Sequence, residues 1–179
     1  MIILLGKTST GKSSIAKIIE DKYKVNRLVT WTSRAKRPGE VGGVDYNFCS
    51  NEDFDQLKRI GFFAETTTYC MSGGIKVQYG TPIEEICGNK ILVLNPEGFK
   101  RLNKLTSVDI KSFLITSPRE ELIERLKARG DSEDEYNRRL DADDRDFEGI
   151  DEMVDFSIHN TKDHDLEFYA DMIWRLYNG

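Results

Sequence analysis

Cysteine and histidine are scarce in this chain of 179 residues, which contains three cysteines and two histidines. The cysteines, Cys49, Cys70 and Cys87, are odd in number and far apart, so they fit neither a disulfide framework nor a paired metal-binding motif. His159 and His164 form no zinc motif with them. The sequence therefore predicts reduced, buried or half-buried thiols in a cytoplasmic protein.

Long apolar runs and an excess of positive charge are also lacking. No apolar segment approaches the roughly 20 residues that cross a membrane, and the apolar start lacks the flanks of a signal peptide. The formal net charge is −5, so the chain as a whole lacks the basic character of proteins that bind nucleic acids. We expect neither a membrane nor a nucleic acid as a partner, and the length suits one α/β domain.

The most informative stretch lies at the start, where an apolar run of strand length precedes a glycine-punctuated loop and a helical pattern. The loop reads Gly6-Lys7-Thr8-Ser9-Thr10-Gly11-Lys12-Ser13. It fits G-x-x-x-x-G-K-[ST] in the strand–loop–helix setting of a phosphate-binding loop, whose N–H groups attract phosphate oxygens. Lys12 is expected to reach the β- and γ-phosphates, and Ser13 to bind Mg²⁺. A glycine turn beside a surface lysine is the alternative, which the complete motif and its context disfavour.

The rest of the chain continues the alternation of strands and helices, interrupted by a mostly β, polar section from about residue 33 to 81. Predicted strands span residues 26–31, 62–69, 75–79, 90–95, 110–116 and 154–158. Predicted helices span residues 12–23, 51–59, 96–105, 118–129 and 163–177, and another is predicted to start at Pro82. Ser72-Gly73-Gly74 is predicted to turn a hairpin. Ser50, Ser117 and Asn160-Thr161 are the predicted helix caps.

Two charged segments leave their roles open. Arg34, Lys36 and Arg37 crowd a glycine-rich loop, which indicates either a bound anion such as phosphate or a solvated basic loop. Residues 131–147 are so rich in charge that no core element is expected there. They indicate either a mobile helical flap, with Arg138, Arg139 and Arg145 available to phosphates, or a solvated helix with ion pairs.

Together these motifs resemble the guanylate kinase family, whose members open with G-P-S-G-x-G-K-[ST] and continue with T-T-R-x-x-R-x-G-E-x-x-G-x-D-Y-x-F. The second motif is matched here from Thr32 to Phe48. Further matches are Phe63-Ala64-Glu65 to F-[IL]-E, Tyr79-Gly80-Thr81 to Y-G-[ST], residues 125–133 to the lid signature R-L-x-x-R-G-x-[ED], Arg139-Leu140 to the later R-L, and Ser157-Ile158-His159-Asn160 to the last strand. The likeness covers nearly the whole chain.

The resemblance implies an α/β fold of the P-loop NTPase type, a three-layer parallel sheet with an inserted, mostly β lobe that binds a nucleoside monophosphate and with a helical lid. Within one domain, residues 1–179, the implied core comprises residues 1–32, 82–129 and 148–179. The implied lobe comprises residues 33–81 and the implied lid residues 130–147. A monomer or homodimer is expected.

The implied reaction is transfer of the γ-phosphoryl group of ATP to GMP or dGMP. The implied acceptor-binding residues are Thr30, Arg34, Arg37, Glu40, Tyr46, Glu65, Tyr79, Gly80, Thr81 and Asn95. A carboxylate suits guanine because guanine offers N1–H and 2-amino donors, whereas adenine has an unprotonated N1. The anion of the basic loop is then the acceptor phosphate.

For the donor, the resemblance implies that ATP is bound by Gly6, Thr8, Ser9, Thr10, Gly11, Lys12, Ser13, Ser14, Arg125 and Asn160, with Mg²⁺ on Ser13. The implied catalytic residues are Lys12, Arg34, Arg129 and Arg139. Phosphoryl transfer passes through a loose transition state, so these residues mainly position the phosphates and neutralise their charge.

The chain departs from the family pattern at a few positions. Asn95 ends the segment where the family has Asp-x-Asp, Lys7 replaces a common proline, and Asp131 replaces a usual threonine. Two alternatives follow: a kinase of this fold acting on another phosphate ester or nucleoside monophosphate, and an inactive module of this fold that binds proteins or phosphopeptides. The retained loop lysine and lid arginines favour an active kinase.

Overall fold

The computed structural model describes residues 1–37, 39–70, 74–105 and 108–179. The chain forms two units: Met1–Arg27, Asn89–Pro96 and Asp109–Gly179 make the first, and Leu28–Gly88 and Glu97–Val108 make the second. The strands are β1 Ile2–Gly6, β2 Asn26–Arg27, β3 Trp31–Thr32, β4 Asn47–Phe48, β5 Phe63–Cys70, β6 Lys76–Pro82, β7 Lys90–Val93, β8 Lys111–Thr116 and β9 Phe156–His159. The helices are α1 Lys12–Tyr23, α2 Asn51–Arg59, α3 Pro96–Leu105, α4 Arg119–Ala128, α5 Glu133–Asp146 and α6 Leu166–Asn178.

The first unit contains a parallel sheet with the strand order β2-β7-β1-β8-β9. β1 lies in the middle, where Ile2 is aligned with Ile91 of β7 and with Lys111 of β8. Every residue of β1 is buried, as expected for a parallel strand covered on both faces. The predicted α/β fold with a parallel sheet is confirmed, and the phosphate-binding loop follows its central strand.

Helices α1 and α6 share one hydrophobic core with this sheet. Its buried helical members are Ile15, Ala16, Ile19, Tyr169, Ala170 and Ile173. Burying a large aliphatic side chain contributes about 1.5–3 kcal/mol, so this cluster fixes α1 firmly. Tyr23 and Trp174 extend the contact, with stacked rings 4.5 Å apart. The start of α1, which follows the loop, is therefore held in place by packing.

The second unit contains a sheet with the strand order β4-β3-β6-β5. The predicted hairpin is confirmed, because β5 and β6 pair antiparallel with Thr67 opposite Tyr79 and Glu65 opposite Thr81. The predicted turn Ser72-Gly73-Gly74 falls mainly outside the described residues, which resume at Gly74. The register places Glu65 and Thr81 side by side, within reach of each other.

Helix α2 packs on this second sheet. Its predicted cap is confirmed, because Ser50 Oγ accepts the N–H of Asp53 at 3.0 Å. Phe54 is completely buried and stacks on Phe63, with ring centroids 4.5 Å apart. The helix thus anchors the strand that carries Glu65.

Two of the predicted elements are wrong in part. The strand predicted for residues 26–31 is two short strands, β2 and β3, which pair in different sheets. The helix predicted to start at Pro82 is instead the end of β6, because Pro82 pairs with Phe63 and the next N–H donates to the Phe62 carbonyl at 3.0 Å. Only a short 3₁₀ turn, Ile83–Glu85, follows.

Two predicted caps are also wrong, because their side chains are engaged elsewhere. Asp165 caps α6 by accepting the Phe168 N–H at 2.8 Å. The Asn160 amide donates instead to the Thr10 carbonyl. Ser117 Oγ accepts from an arginine of α4, and no side-chain cap occurs at that helix start.

Helix α5 contradicts the expectation that residues 131–147 hold no core element. Tyr136 and Leu140, four residues apart, are buried against Leu122 and Leu126 of α4. This small cluster attaches the charged helix to the first unit. Of the helices in the described part of the chain, none is both long and apolar enough to span a membrane.

The cysteines differ partly from the prediction. Cys49, Cys70 and Cys87 are free thiols as expected, but only Cys49 is half-buried and the other two are exposed.

Candidate functional site

The two glycines of the phosphate-binding loop lie where a side chain has no room. A Cβ on Gly6 would lie 2.5 Å from the Ile115 carbonyl oxygen and 2.6 Å from Thr10 Oγ1. Gly11 has a positive φ of 88°, and a Cβ there would lie 2.8 Å from Asn160 Nδ2. The backbone can follow this path only with glycine at both positions.

Side chains engage the carbonyl groups of the loop. Lys12 Nζ donates to the Lys7 carbonyl at 3.0 Å, and Asn160 Nδ2 donates to the Thr10 carbonyl at 2.8 Å. Arg125 Nη1 donates to the Ser9 carbonyl at 3.2 Å. These bonds engage three carbonyl groups of the loop, and one loop amide is engaged as well, because the Thr10 N–H donates to the Lys7 carbonyl at 3.4 Å.

The start of α1, directly after the loop, also attracts anions. Its N-cap, Gly11, provides no side-chain cap for the first amides of the helix. Ser13 and Ser14 are exposed in the first turn, and no acidic residue occurs there. A helix N-terminus of this kind favours phosphate oxygens through its free amides and its dipole.

Three arginines in α4, directly after α4 and in α5 are predicted to act on phosphates, and each is ion-paired with a nearby acid. Arg129 Nε donates to Asp131 Oδ2 at 2.7 Å, and Arg139 Nη1 lies 3.5 Å from Asp131 Oδ1. Arg139 also donates to Glu135 at 2.6 Å, and Arg125 pairs with an acid one turn earlier in α4. Asp131 therefore contacts both Arg129 and Arg139, two of the residues predicted to be catalytic.

The basic loop of the second unit is organised around one carboxylate. Both terminal nitrogens of Arg34 donate to Glu40, at 2.5 and 2.7 Å, and the Arg37 N–H donates to Glu40 Oε2 at 2.8 Å. Burial raises the pKa of Glu40, but these bonds outweigh it and lower the pKa below its usual value. Glu40 is thus ionised and fixes the guanidinium plane.

Aromatic rings surround the same guanidinium. Arg34 Cζ lies 5.0 Å from the centre of the Tyr46 ring, and the Tyr46 and Tyr79 rings are 5.9 Å apart. Burial raises the pKa of Tyr46, so its hydroxyl remains a donor at neutral pH. Among the described residues, Arg34 Nε is buried without a hydrogen-bond acceptor. The cluster therefore joins a cation, two phenols and an unused N–H, which suits an anionic ligand.

A second polar centre of this unit lies at the paired positions of β5 and β6. Thr81 Oγ1 donates to Glu65 Oε1 at 2.6 Å, and only 6% of Glu65 is exposed. Within the described structure, Glu65 Oε2 is buried and has no donor. Burial raises the pKa of Glu65, while the Thr81 hydroxyl and the charge of Arg101 act in the opposite direction. An unused buried acceptor of this kind is ready for a ligand that brings N–H groups.

Three further residues, Thr30, Gly80 and Asn95, are predicted to bind the acceptor and lie outside the two polar centres described above. Thr30 is buried, and its carbonyl accepts the Asn47 N–H at 2.9 Å. A Cβ on Gly80 would lie 2.7 Å from the Phe63 ring, which explains the glycine. Asn95 follows β7 in the first unit, whereas the other predicted acceptor residues belong to the second unit.

The structure also reveals contacts that the sequence analysis missed. The Thr8 N–H donates to Asp143 Oδ2 at 2.5 Å, and Lys7 pairs with Asp144. A signal was present in the sequence, because Asp144 has no basic residue three or four positions away on its helix. Such an acid is a candidate for a contact outside the helix.

A family model and two known proteins to which this chain is similar share one description. The family model described as guanylate kinase matches residues 1–174. Guanylate kinase of Syntrophus aciditrophicus is 37% identical over 142 residues, which are 78% of this chain and 69% of that protein. Guanylate kinase of Tropheryma whipplei (strain Twist) is 29% identical over 186 residues, covering 99% of this chain and 92% of that protein.

A solved structure shows the same fold. The crystal structure of guanylate kinase from Anaplasma phagocytophilum has a TM-score of 0.73 and 24% identity to this chain. The alignment covers 99% of this chain and 84% of that one.

Proposed function

The chain belongs to the guanylate kinase family, and we propose that it transfers the γ-phosphoryl group of ATP to GMP or dGMP, giving ADP and the nucleoside diphosphate. The observation that carries this proposal is Glu65, a buried carboxylate with one oxygen on Thr81 and the other without a donor in the described structure. Guanine supplies two N–H donors on one edge, N1–H and the 2-amino group. A carboxylate that accepts both recognises guanine and leaves adenine with an unpaired acceptor.

The Arg34 cluster supports binding of the acceptor phosphate. Its guanidinium is oriented by Glu40 and lies near the Tyr46 ring, which in turn contacts the Tyr79 ring, and Arg37 belongs to the same loop. The planar guanidinium group can donate to two oxygens of a phosphate at once, a geometry that a lysine ammonium group does not provide. We assign acceptor-phosphate binding to these residues, and base recognition to Glu65, Thr81 and Thr30, with Gly80 and Asn95 as further acceptor-site residues.

The donor triphosphate is assigned to the loop after β1 and the start of α1. The ATP-binding set is Gly6, Thr8, Ser9, Thr10, Gly11, Lys12, Ser13, Ser14, Arg125 and Asn160. Lys12, Arg34, Arg129 and Arg139 are assigned to neutralise charge on the transferred group. No general base is required, because the acceptor phosphate is already a nucleophile, and catalysis depends on position and charge.

The residues present also fit the Mg²⁺ that accompanies ATP. Ser13 offers an exposed hydroxyl at the start of α1, and Mg²⁺ commonly binds through one or two protein oxygens, phosphates and water. No group of three or more acidic, histidine or cysteine side chains suited to a metal occurs in the described residues. When bound, Mg²⁺ would neutralise negative charge on the β- and γ-phosphates.

We infer a nucleotide-binding core in residues 1–32, 82–129 and 148–179, an acceptor lobe in residues 33–81 and a lid in residues 130–147. We also propose a cytoplasmic protein that acts as a monomer or homodimer, with no nucleic acid or membrane as a partner.

A coupled assay of ADP formation tests the proposed reaction. The purified protein is incubated with ATP, Mg²⁺ and each of GMP, dGMP, AMP, CMP and UMP. We expect turnover with GMP or dGMP and little with the other three. Absence of turnover with both guanine nucleotides would refute the proposal. The Lys12→Ala variant, which removes the phosphate-contacting ammonium, is the matched inactive control.

A further inference from the structure

Two consecutive acids of α5 contact the phosphate-binding loop. The Thr8 backbone N–H donates to Asp143 Oδ2 at 2.5 Å, and the Lys7 ammonium pairs with Asp144. Arg119 Nη1 donates to the other oxygen of Asp144 at 2.8 Å. The loop thus presents a backbone amide and an ammonium group, on adjacent residues, to two negative charges.

These carboxylates mark positions where the loop attracts oxygen anions. A backbone N–H directed at a carboxylate can equally donate to a phosphate oxygen, and an ammonium group attracts either anion. The Lys7 carbonyl also accepts Lys12 Nζ at 3.0 Å, so its main chain contacts the motif lysine. The ammonium of Lys7 therefore belongs to the same anion-attracting loop as Lys12.

We propose that Lys7 is a further phosphate-binding residue for the donor triphosphate, and that Asp143 and Asp144 occupy its anion positions until the phosphates displace them. This inference rests on the proposed use of a nucleoside triphosphate and extends it to a side chain at a variable position of the G-x-x-x-x-G-K-[ST] motif. Lys7 exchanges one anionic partner for another, and the Thr8 amide does the same. No bond is made or broken in this step except hydrogen bonds and ion pairs.

Competition for the same donors has a measurable consequence. While Asp143 accepts the Thr8 N–H, a phosphate oxygen cannot take the same position. The apparent association constant for the triphosphate is then the intrinsic constant multiplied by the fraction of molecules in which the acids are displaced. Weakening the carboxylate contact increases that fraction, whereas removing the Lys7 charge removes a contact to the phosphates.

Calorimetric titration with ATP and Mg²⁺, repeated with inorganic tripolyphosphate, tests this inference without requiring turnover. We expect Lys7→Gln to bind both ligands about 10-fold more weakly, as for the loss of one charge-assisted contact. The Lys17→Gln variant, which removes an exposed charge of α1, is the matched control and should leave affinity unchanged. Lys7→Arg retains the charge and should bind within about threefold of the unsubstituted protein.

Substitution of Asp143 is expected to have the opposite effect on the affinity for both ligands. Asp143→Asn should bind both ligands about fivefold more tightly, because a neutral amide competes less well than a carboxylate. Asp141→Asn is its control, since Asp141 contacts Arg119 at 3.4 Å and no described contact joins it to the loop. Thermal unfolding of each variant checks that the fold is retained.

The outcomes separate this inference from the proposed function. If Lys7→Gln binds as tightly as Lys17→Gln, or if Asp143→Asn binds more weakly than Asp141→Asn, the inference is wrong and the proposed kinase activity stands. If the unsubstituted protein binds neither ATP nor tripolyphosphate, both are wrong.

Discussion

Replacing Glu65 by glutamine tests the base-recognition assignment most directly. The substitution keeps the size of the side chain and one carbonyl oxygen, which Thr81 can still approach as it does at 2.6 Å from Glu65 Oε1. It places an NH₂ group at the position of Oε2, the buried oxygen for which the described structure has no donor. An acceptor for guanine therefore becomes a donor that faces guanine donors.

The expected loss follows from the bonds that are removed. Hydrogen bonds to a charged partner contribute about 1.5–3 kcal/mol each. One guanine N–H loses its acceptor, and the other keeps only a neutral or misdirected acceptor. The total loss of binding free energy is therefore about 3 kcal/mol. This corresponds to about a 10²-fold decrease in kcat/KM for GMP.

The effect on stability is expected to have the opposite sign. Burial raises the pKa of Glu65 in the folded protein above its ordinary value of 4.5. Between these two pKa values the folded state binds more protons than the unfolded state, so the free energy of unfolding falls as pH rises through this window. Glutamine does not titrate, and Glu65→Gln should therefore become more stable relative to the unsubstituted protein as pH rises.

Two measurements and one control check this reasoning. Steady-state kinetics are measured with GMP and with inosine monophosphate, which lacks the 2-amino group, and thermal unfolding is followed from pH 4 to 8. The penalty of Glu65→Gln should be about tenfold smaller with inosine monophosphate, because one of the two contacts is already absent. Glu84→Gln, at an exposed position of the same unit, is the control and should change neither the kinetics nor the pH dependence of thermal unfolding. Equal penalties for the two acceptors would refute base reading by Glu65.

Two other predictions concern the loop glycine and the arginine-orienting acid. Gly11→Ala should destabilise the protein by more than about 2 kcal/mol in thermal unfolding and weaken ATP binding, because it adds a clash with Asn160 to the cost of a positive φ. Gly130→Ala, which has a φ of 91° and no atom within 4 Å of the added Cβ, isolates the backbone cost and should destabilise less. Glu40→Gln should abolish a stabilisation that is present above pH 4.5 and lost on acidification, since Arg34 helps to keep the pKa of Glu40 low. The free energy of unfolding is measured for both proteins from pH 3 to 7. A constant difference between Glu40→Gln and the unsubstituted protein over this range would contradict the prediction.

Local patterns in the sequence predicted the first strand, the loop and α1 well, because their signals lie within a few residues of each other. The loop requires Gly6 and Gly11 for close backbone approach, and both requirements are visible in the motif itself. The start of α2 was predicted for the same reason, since Ser50 and Asp53 form a local cap.

Elements decided by distant pairing were harder to predict. Thr81-Pro82 has the composition of a helix start, but Pro82 pairs with Phe63, which lies nineteen positions earlier in the chain. Tertiary pairing thus overrides the local preference. The split of the strand predicted for residues 26–31 has the same cause, because its two ends pair in different sheets.

Helix α5 shows how a highly charged sequence can conceal a small core. Its sequence is so polar that no buried residue was expected, but Tyr136 and Leu140 share one side of the helix at i, i+4 spacing. Two apolar residues are enough when the partner helix offers Leu122 and Leu126 in return. Counting charges therefore misjudges a helix that buries only one turn of its surface.

Three arginines that the proposed function assigns to phosphate binding are paired with acids in their own unit. Arg34 is held by Glu40, and Arg129 and Arg139 share Asp131. An arginine that stays paired is desolvated and oriented before a ligand arrives, so a phosphate replaces a carboxylate instead of water. The binding free energy is then the difference between the free energy of the arginine–phosphate pair and that of the arginine–carboxylate pair. If the proposed function holds, we expect Glu40 and Asp131 to influence nucleotide affinity together with the arginines that they hold, Asp131 at a position where the family usually has threonine.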